Sequence, residues 1–295
     1  MDVTMAKKTP LSDDAETGSG GLQRGFAVIR ALATAQGEGL RLTEVAAATG
    51  LAQATVHRIL RALLAEGMVE QPDGGKSYRL GIDFYALAAQ AGGRHTSLKA
   101  LCRPALLRLS GMLNDTLFLL VRSGFDAVCL DRVEGPFPIR SHTGDIGGRV
   151  PLGVGQAGLL ILALMPEAER EEVIRFNVPR LLNLGYFDEV FLRTEIDRTR
   201  AAGYAATCSP GIIPGMAGVS VPILDADGMP VAALSIGTLA DRVNDDRLPQ
   251  IVHILKKEAA AISARLNPFD PALRRPAQFL GGNAGGAVPP AFVAL

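Results

Sequence analysis

The sequence predicts an α+β protein of two domains. Its 295 residues exceed what one hydrophobic core supports, because single cores stop growing at about 250 to 300 residues. Hydrophobic residues make up 48% of the chain and charged residues 20%, which is enough apolar surface to fold two cores. Residues 21–81 combine short helical patterns with one hairpin, whereas residues 99–266 alternate strands and helices. We therefore expect a small helical domain followed by a larger one with a mixed, mainly antiparallel sheet.

The two ends of the chain lack the pattern of a packed domain. Residues 1–20 are mostly polar and rich in Gly and Ser towards their end, so we expect a flexible arm. Residues 267–295 contain several prolines and the run GGNAGGAVPP, which predicts a loose tail. No stretch has the roughly 20 consecutive apolar residues of a membrane span, and the start lacks the apolar core of a signal peptide. The sequence thus predicts a cytoplasmic protein.

Three helices are predicted in the first domain. The first covers Gln23 to Ala35, and Thr43 stands where the N-cap of a short second helix would lie. That helix ends at Gly50, and a third begins near Ala52. The apolar residues of the third helix follow the spacing of one buried helical face, and they are Val56, Ile59, Leu60, Leu63 and Leu64.

The opposite face of the third helix is polar and basic. Its side chains suited to phosphates and base edges in a major groove are Gln53, Thr55, His57, Arg58 and Arg61. Taken alone, this face also fits an ordinary solvated helix, and residues 21–81 carry seven basic and only five acidic side chains. The prediction of DNA binding therefore depends on where the basic residues lie, and not on their number.

The elements around the third helix favour a winged helix-turn-helix. Gly50 can adopt the left-handed conformation that the turn between the two helices needs. Two strands, Met68–Gln71 and Ser77–Leu80, flank a turn at Pro72 and form the predicted wing. The wing side chains placed to contact DNA, together with Thr43 on the second helix, are Lys76, Tyr78 and Arg79.

Strand and helix patterns alternate through the second domain. Hairpins are predicted for residues 116–121 with 127–130 and for residues 219–224 with 231–236. Helices are predicted for residues 167–176, 190–202 and 246–265. A sheet flanked by helices in this way can hold a small-molecule pocket.

The segments LQRGFAVIRALA, LTEVAAATGLAQATVHRILRALLAEGMVE and YRLG resemble the DNA-binding domain of the IclR family of transcriptional regulators. GGRVPLGVGQAGLLILALMP and GMAGVSVPILDADGMPVAALSIG resemble the two halves of the family's effector domain. The resemblance implies a GAF-like effector-binding domain at residues 99–266, a linker helix within residues 82–98, and assembly into a dimer or tetramer. Phe84, Leu87 and Ala91 are spaced for an apolar stripe on that linker, although such a helix can also pack on its own domain.

The resemblance also implies a set of effector-binding residues. Carried over position by position, they are Ile139, His142, Val150, Gln156, Ala157, Met216, Gly218, Ser235 and Gly237, with Cys208 in the same space. Relatives that bind small carboxylates often have a cysteine where Gly218 stands and a serine where Gly237 stands. The loss of these polar groups favours a larger or less polar ligand, such as an aromatic acid or phenol oriented by His142 and Gln156.

Other motifs give little support for a cofactor, a metal or an enzyme. Gly153, Gly155 and Gly158 match G-x-G-x-x-G, but no buried hydrophobic strand is predicted before them, so we expect no dinucleotide. The four histidines are scattered, without the spacing of a metal site. Three widely spaced cysteines suit reduced thiols.

We therefore expect a DNA-binding transcriptional regulator, a repressor or an activator, whose operator affinity responds to a small organic effector. Its expected partners are double-stranded operator DNA, the effector and further copies of itself. Two alternatives stay open at this point. One is a regulator that works without effector because its pocket is closed. The other is an enzyme that uses Cys208 or His142 as reactive group in the second domain.

Overall fold

The computed structural model describes residues 19–35, 39–72, 75–90, 94–136, 145–182, 188–206 and 215–266. The chain forms two compact units, Met1–Gly93 and Arg94–Leu295, and their boundary falls inside the interval 82–98 assigned to the linker. The predicted tail and almost all of the predicted arm lie outside the described residues. Within the described ranges, no helix is both long and apolar enough to span a bilayer.

The first unit contains the three predicted helices and a fourth at its end. Its helices are α1 (Ser19–Ala33), α2 (Leu42–Thr49), α3 (Gln53–Ala65) and α4 (Ile82–Gln90). Gly50 has a φ of 72°, which is the left-handed conformation expected for the turn between α2 and α3. The helix-turn-helix prediction is confirmed.

The start of α2 corrects one prediction, because Thr43 is not its N-cap. The helix begins at Leu42, and Arg41 is the capping residue, with an extended backbone. The Arg41 backbone N–H donates to Glu44 Oε2 at 2.6 Å, so Glu44 satisfies a group at the helix start. The reason is the short strand immediately before the helix, which holds Arg41 extended.

That strand belongs to a three-stranded antiparallel sheet. Its strands are β1 (Leu40–Arg41), β2 (Val69–Glu70) and β3 (Ser77–Leu80), in the order β1-β3-β2. The predicted hairpin is confirmed as β2 and β3, with β2 shorter than expected, whereas β1 was not predicted. The sheet closes a core with the helices, built around Val28, Leu32, Val45, Val56 and Leu60.

The second unit contains five α-helices, one short 3-10 helix (Ala240–Arg242) and six strands among its described residues. The helices are α5 (Arg94–Leu113), α6 (Gly155–Leu164), α7 (Glu167–Leu182), α8 (Glu189–Ala202) and α9 (Arg247–Ser263). The strands are β4 (Thr116–Ser123), β5 (Asp126–Val133), β6 (Arg149–Pro151), β7 (Ala205–Ala206), β8 (Met216–Leu224) and β9 (Pro230–Leu239). Both predicted hairpins are confirmed, and most strands are longer than predicted. The 20-residue helix α5 was not predicted.

The six strands form one sheet in the order β6-β5-β4-β9-β8-β7. Every strand pairing in the described part of the chain is antiparallel. The sequence predicts a mixed, mainly antiparallel sheet, and the described strands include no parallel pair. The two long hairpins, β4–β5 and β8–β9, explain this, because a tight turn joins antiparallel strands and a parallel pair needs a crossover.

The two faces of this sheet are covered by different helices. On one face, α5 and α9 pack against the side chains of Leu117, Leu119, Val219 and Ile236. On the other face, α6 forms a second apolar cluster with α7, α8 and strand residues such as Ala233. The N-terminal end of α6 therefore lies over the second face, where the predicted effector residues are found.

Candidate functional site

Helix α3 separates its apolar and polar side chains as the sequence predicts. Val56 and Leu60 are fully buried, whereas Gln53, His57, Arg58 and Arg61 are exposed and Thr55 is half-buried. No described acidic side chain forms a salt bridge with Arg58 or Arg61. Their guanidinium groups are therefore available to bind phosphates or guanine edges without first breaking an ion pair.

The wing residues are placed differently from one another. Lys76 is exposed, and the Nε of Arg79 lies 2.5 Å from Oε1 of Glu70 on the paired strand. An acidic neighbour reduces the electrostatic attraction of Arg79 to DNA, so we expect it to contribute less than Arg58. Thr43 is exposed on the first turn of α2.

Tyr78 corrects a second prediction. Its side chain is only 8% exposed and belongs to the core of the first unit, so it is not presented on the wing surface. Tyr78 pairs with Leu40 of β1, and successive residues of a strand point to opposite faces. Arg79 therefore faces outwards while Tyr78 faces the core, and we leave Tyr78 out of the DNA-contacting set.

Two predicted effector residues lie side by side on the second face of the large sheet, and a third covers them from α6. Gly218 of β8 is directly opposite Gly237 of β9, and Gly237 is directly opposite Thr116 of β4. Gln156 in the first turn of α6 covers this row at its β8 end. A Cβ atom added to Gly218 would lie 2.7 Å from Oε1 of Gln156, so a larger residue here would displace the Gln156 side chain.

The remaining predicted effector residues do not all lie beside that row. Val150 on β6 is level with Arg122, at the opposite end of β4 from Thr116. Ser235 is buried in the neighbouring row, and its hydroxyl donates to the Val219 carbonyl at 3.2 Å. Val150 and Ala157 are buried within the apolar cluster around α6, and Met216 is half-buried at the start of β8. Ile139, His142 and Cys208 lie outside the described residues.

The structure adds three residues to this face that the sequence did not indicate. Strand register places Phe118 beside Ser235 and Arg132 beside Phe118, in the row next to Thr116. The Arg132 guanidinium lies 5.7 Å from the centre of the Phe118 ring and forms salt bridges with Glu134 and Asp145. Only the pairing of β4 with β5 and β9 reveals these neighbours.

The glycines before α6 allow backbone conformations that other residues rarely adopt. Gly153 and Gly155 have φ values of 103° and 65°, and the helix begins at Gly155. A short strand, β6, does precede it, contrary to expectation. However, β6 is an antiparallel edge strand of three residues, whereas a dinucleotide site follows a parallel strand inside a sheet. The backbone N–H groups of the first turn of α6 can still attract an anion.

The cysteines that the structure describes do not suit nucleophilic chemistry. Burial, with a smaller effect of Asp131, raises the pKa of Cys102 to about 12. Burial likewise raises the pKa of Cys129 to about 12, against an opposing effect of Arg132. A thiol must ionise to act as a nucleophile, so neither is activated. Among the described residues there is also no group of His, Cys, Asp and Glu side chains that could hold a metal ion.

Two family models match the chain and together cover both units. Residues 21–73 match the IclR helix-turn-helix domain, and residues 92–264 match the C-terminal domain of the bacterial transcriptional regulator IclR. The second match alone spans more than half of the chain.

Individual relatives agree with these matches. The glycerol operon regulatory protein of Streptomyces coelicolor is 31% identical over 83% of this chain and 95% of its own length. The regulator KipR of Bacillus subtilis is 27% identical over 77% of this chain and 90% of its own length. Both relatives are regulators, the class of protein that the sequence predicts for this chain.

Solved structures show the same fold. An IclR homologue from Microbacterium hydrocarbonoxydans, complexed with 4-hydroxybenzoate, matches with a TM-score of 0.69 and 24% identity. The match covers 86% of this chain and 99% of that one. With a basic α3 in a helix-turn-helix, a second unit of the matching fold and both family models in agreement, this chain belongs to the IclR family of DNA-binding transcriptional regulators.

Proposed function

We propose that this regulator binds its operator through α3 and the wing and that a small organic acid bound in the second unit changes its operator affinity. The proposal that the second unit binds an effector rests on one observation. Thr116, Gly237 and Gly218 form a row on the sheet beneath Gln156 and the start of α6. The Thr116 hydroxyl lies at one end of this row and the Gln156 amide at the other, and the two glycines between them have no side chains. The location we propose is the cytoplasm, where operator DNA is found.

The proposed DNA-contacting set follows from exposure and charge. It consists of Thr43, Gln53, Thr55, His57, Arg58, Arg61, Lys76 and Arg79. The N-terminal part of α3 would lie in the major groove, as the second helix of this motif does in its complexes. Arg58 and Arg61 supply the charge that neutralises phosphates.

An aromatic carboxylic acid is the effector class that the site favours. The N-terminal end of α6 carries partial positive charge and attracts a carboxylate. Gly237 contributes no side chain between Thr116 and Gly218, so a flat ring would lie against the sheet at that position. The Microbacterium homologue of the same fold was solved with 4-hydroxybenzoate, which makes this acid and its analogues the first ligands to test.

We also propose that the protein acts as a homodimer or a homotetramer in which α1 and α4 pair two protomers. The large hydrophobic side chains that are exposed in the described part of the first unit all lie on these two helices, and they are Leu22, Phe26, Ile82 and Leu87. Exposed apolar groups of this kind mark association surfaces. Leu87→Glu should lower the mass measured by sedimentation equilibrium, and an unchanged mass would exclude this surface.

The DNA-binding half is tested by fluorescence anisotropy with the DNA upstream of the protein's own gene. Arg58→Ala should weaken binding roughly 5- to 150-fold, which corresponds to 1 to 3 kcal/mol for a bidentate base contact. Arg200→Ala removes the same charge from an exposed position on α8 and is the matched control. Equal effects of the two substitutions would mean that α3 is not the recognition helix.

The effector half is tested in the same assay by titrating aromatic acids. An acid that changes operator affinity must itself bind with changed affinity when operator is present, by the same factor. If acids bind but never alter operator affinity, the sensing function is wrong. If no acid binds, the alternative of a regulator with a closed pocket is favoured.

A further inference from the structure

One buried hydroxyl on the second face of the large sheet has no hydrogen-bond partner. Thr116 is fully buried, and its Oγ1 finds neither donor nor acceptor among the residues that the structure describes. Ser220 and Ser235 on the same face donate to the carbonyls of Leu234 and Val219. Because buried polar groups are almost always paired in folded proteins, an unpaired one at a ligand site requires an explanation.

The direction of the Thr116 side chain follows from strand register. Residues directly opposite each other in antiparallel strands project to the same face. Thr116 is opposite Gly237, and Gly237 is opposite Gly218, whose Cβ direction leads to Gln156 on α6. The Thr116 hydroxyl therefore projects to the face that holds the proposed effector site.

Between Thr116 and Gln156 the sheet contributes no side chain. Thr116 and Gly218 are two strand separations apart, a distance of about 10 Å, and Gly237 lies between them. Phe118 borders this row; it is buried, yet it belongs to neither apolar cluster of the second unit. Such a surface accommodates a flat ring, with one hydrogen-bonding side chain at each end.

Charge determines which end of the ligand lies at Thr116. In the neighbouring row, the positive charge of Arg132 is compensated by the carboxylates of Glu134 and Asp145. At the opposite end, α6 begins with Val154 as N-cap and without a capping side chain, so its first-turn N–H groups attract an anion. A carboxylate is therefore favoured at α6, and an uncharged oxygen at Thr116.

We propose that the hydroxyl of Thr116 hydrogen-bonds an uncharged oxygen at the far end of the effector and so selects ring acids that carry a hydroxyl or carbonyl group opposite the carboxylate. This inference rests on the proposed effector function. It names Thr116 as a specificity-determining residue of that site, with Gly237 beside it favouring a flat ligand.

The experiment measures the affinities of the full-length protein for benzoate and 4-hydroxybenzoate by calorimetry, in the wild type and in Thr116→Val. The valine keeps the shape of threonine and removes the hydroxyl. We expect the variant to lose about tenfold in affinity for 4-hydroxybenzoate, or 1.4 kcal/mol, and to keep its affinity for benzoate.

A stability measurement without ligand tests the same hydroxyl independently. Because Thr116 has no partner to lose, Thr116→Val should leave the melting temperature unchanged or raise it. Thr238→Val is the matched control, since the Thr238 hydroxyl is also buried but donates to Asp115 at 2.7 Å, and its loss should lower the melting temperature. A similar fall in both variants would overturn the inference, because Thr116 would then be bonded within the fold.

The outcomes separate this inference from the function on which it rests. If the wild type binds both acids equally well, or if Thr116→Val weakens both alike, the effector site stands and the role of Thr116 is refuted. If the wild type binds neither acid, the proposal of an aromatic-acid effector fails, and the inference fails with it.

Discussion

Replacing Asp115 by alanine should destabilise the second unit by about 3 kcal/mol. Asp115 joins α5 to β4, and its carboxylate is fully buried. It accepts hydrogen bonds from the Thr238 hydroxyl at 2.7 Å, from Arg242 at 3.0 Å and from Arg247 at 2.5 Å. These contacts tie the start of β4 to the end of β9 and thereby hold Thr116 opposite Gly237.

The size of the effect follows from burial. Removing one partner of a buried ion pair costs about 3 to 5 kcal/mol, because the other charge stays buried and unpaired. The side chains of Arg242 and Arg247 are 29% and 24% exposed, so water compensates part of the loss and the lower end of this range applies. The Thr238 hydroxyl, which is almost fully buried, also loses its acceptor.

Thermal and urea unfolding of the full-length protein measure this change. A loss of 3 kcal/mol in a unit of this size corresponds to a fall of roughly 6 to 12 °C in melting temperature. Glu171→Ala is the control, because Glu171 pairs with Arg193 at 2.8 Å but both side chains are about 40% exposed. It should cost less than about 1 kcal/mol. Equal losses in the two variants would show that burial does not determine the strength of these ion pairs.

Two further predictions concern the effector site and the thiols. Gly218→Ala should weaken the response of operator binding to aromatic acids, because the new Cβ would lie 2.7 Å from Gln156 Oε1 and would displace that side chain from its place over the row. An unchanged response would place the ligand elsewhere. In the variant Cys208→Ser at pH 8, Cys102 and Cys129 should resist labelling by DTNB until urea is added, because burial raises the pKa of each to about 12. Fast labelling of the native protein would contradict this prediction. Because the unfolded pKa is near 9, these thiols stabilise the fold fully below pH 9 and lose that contribution as the pH rises towards 12.

The buried and exposed faces of α3 could be predicted from the sequence because they depend on local periodicity. Val56 and Leu60 fall on one face of α3, and Arg58 and Arg61 on the other, whatever the rest of the chain does. Tyr78 was assigned wrongly because its burial depends on pairing with β1, a strand far away in sequence and too short to give a pattern of its own.

Helix α5 shows how tertiary packing outweighs a local signal. Pro104 and Gly111 inside this segment argue against a long helix, and a proline costs about 3 kcal/mol in a helix interior. Leu106 and Leu109 are nevertheless fully buried against the sheet, while Pro104 is exposed. Burial of this apolar face compensates for the hydrogen bond that Pro104 cannot make.

The sequence by itself determined the two-domain α+β class, the recognition helix and the two long hairpins, because each depends on residues within about 20 positions of one another. The tertiary structure alone showed that Thr116, Phe118 and Arg132 lie on the same face as the predicted Gly218 and Gly237. Thr116 and Gly237 are more than 100 residues apart, and only the register of β4 against β9 makes them neighbours. A shift of that register by one residue would turn Thr116 to the opposite face, so the pairing of distant strands fixes the proposed site.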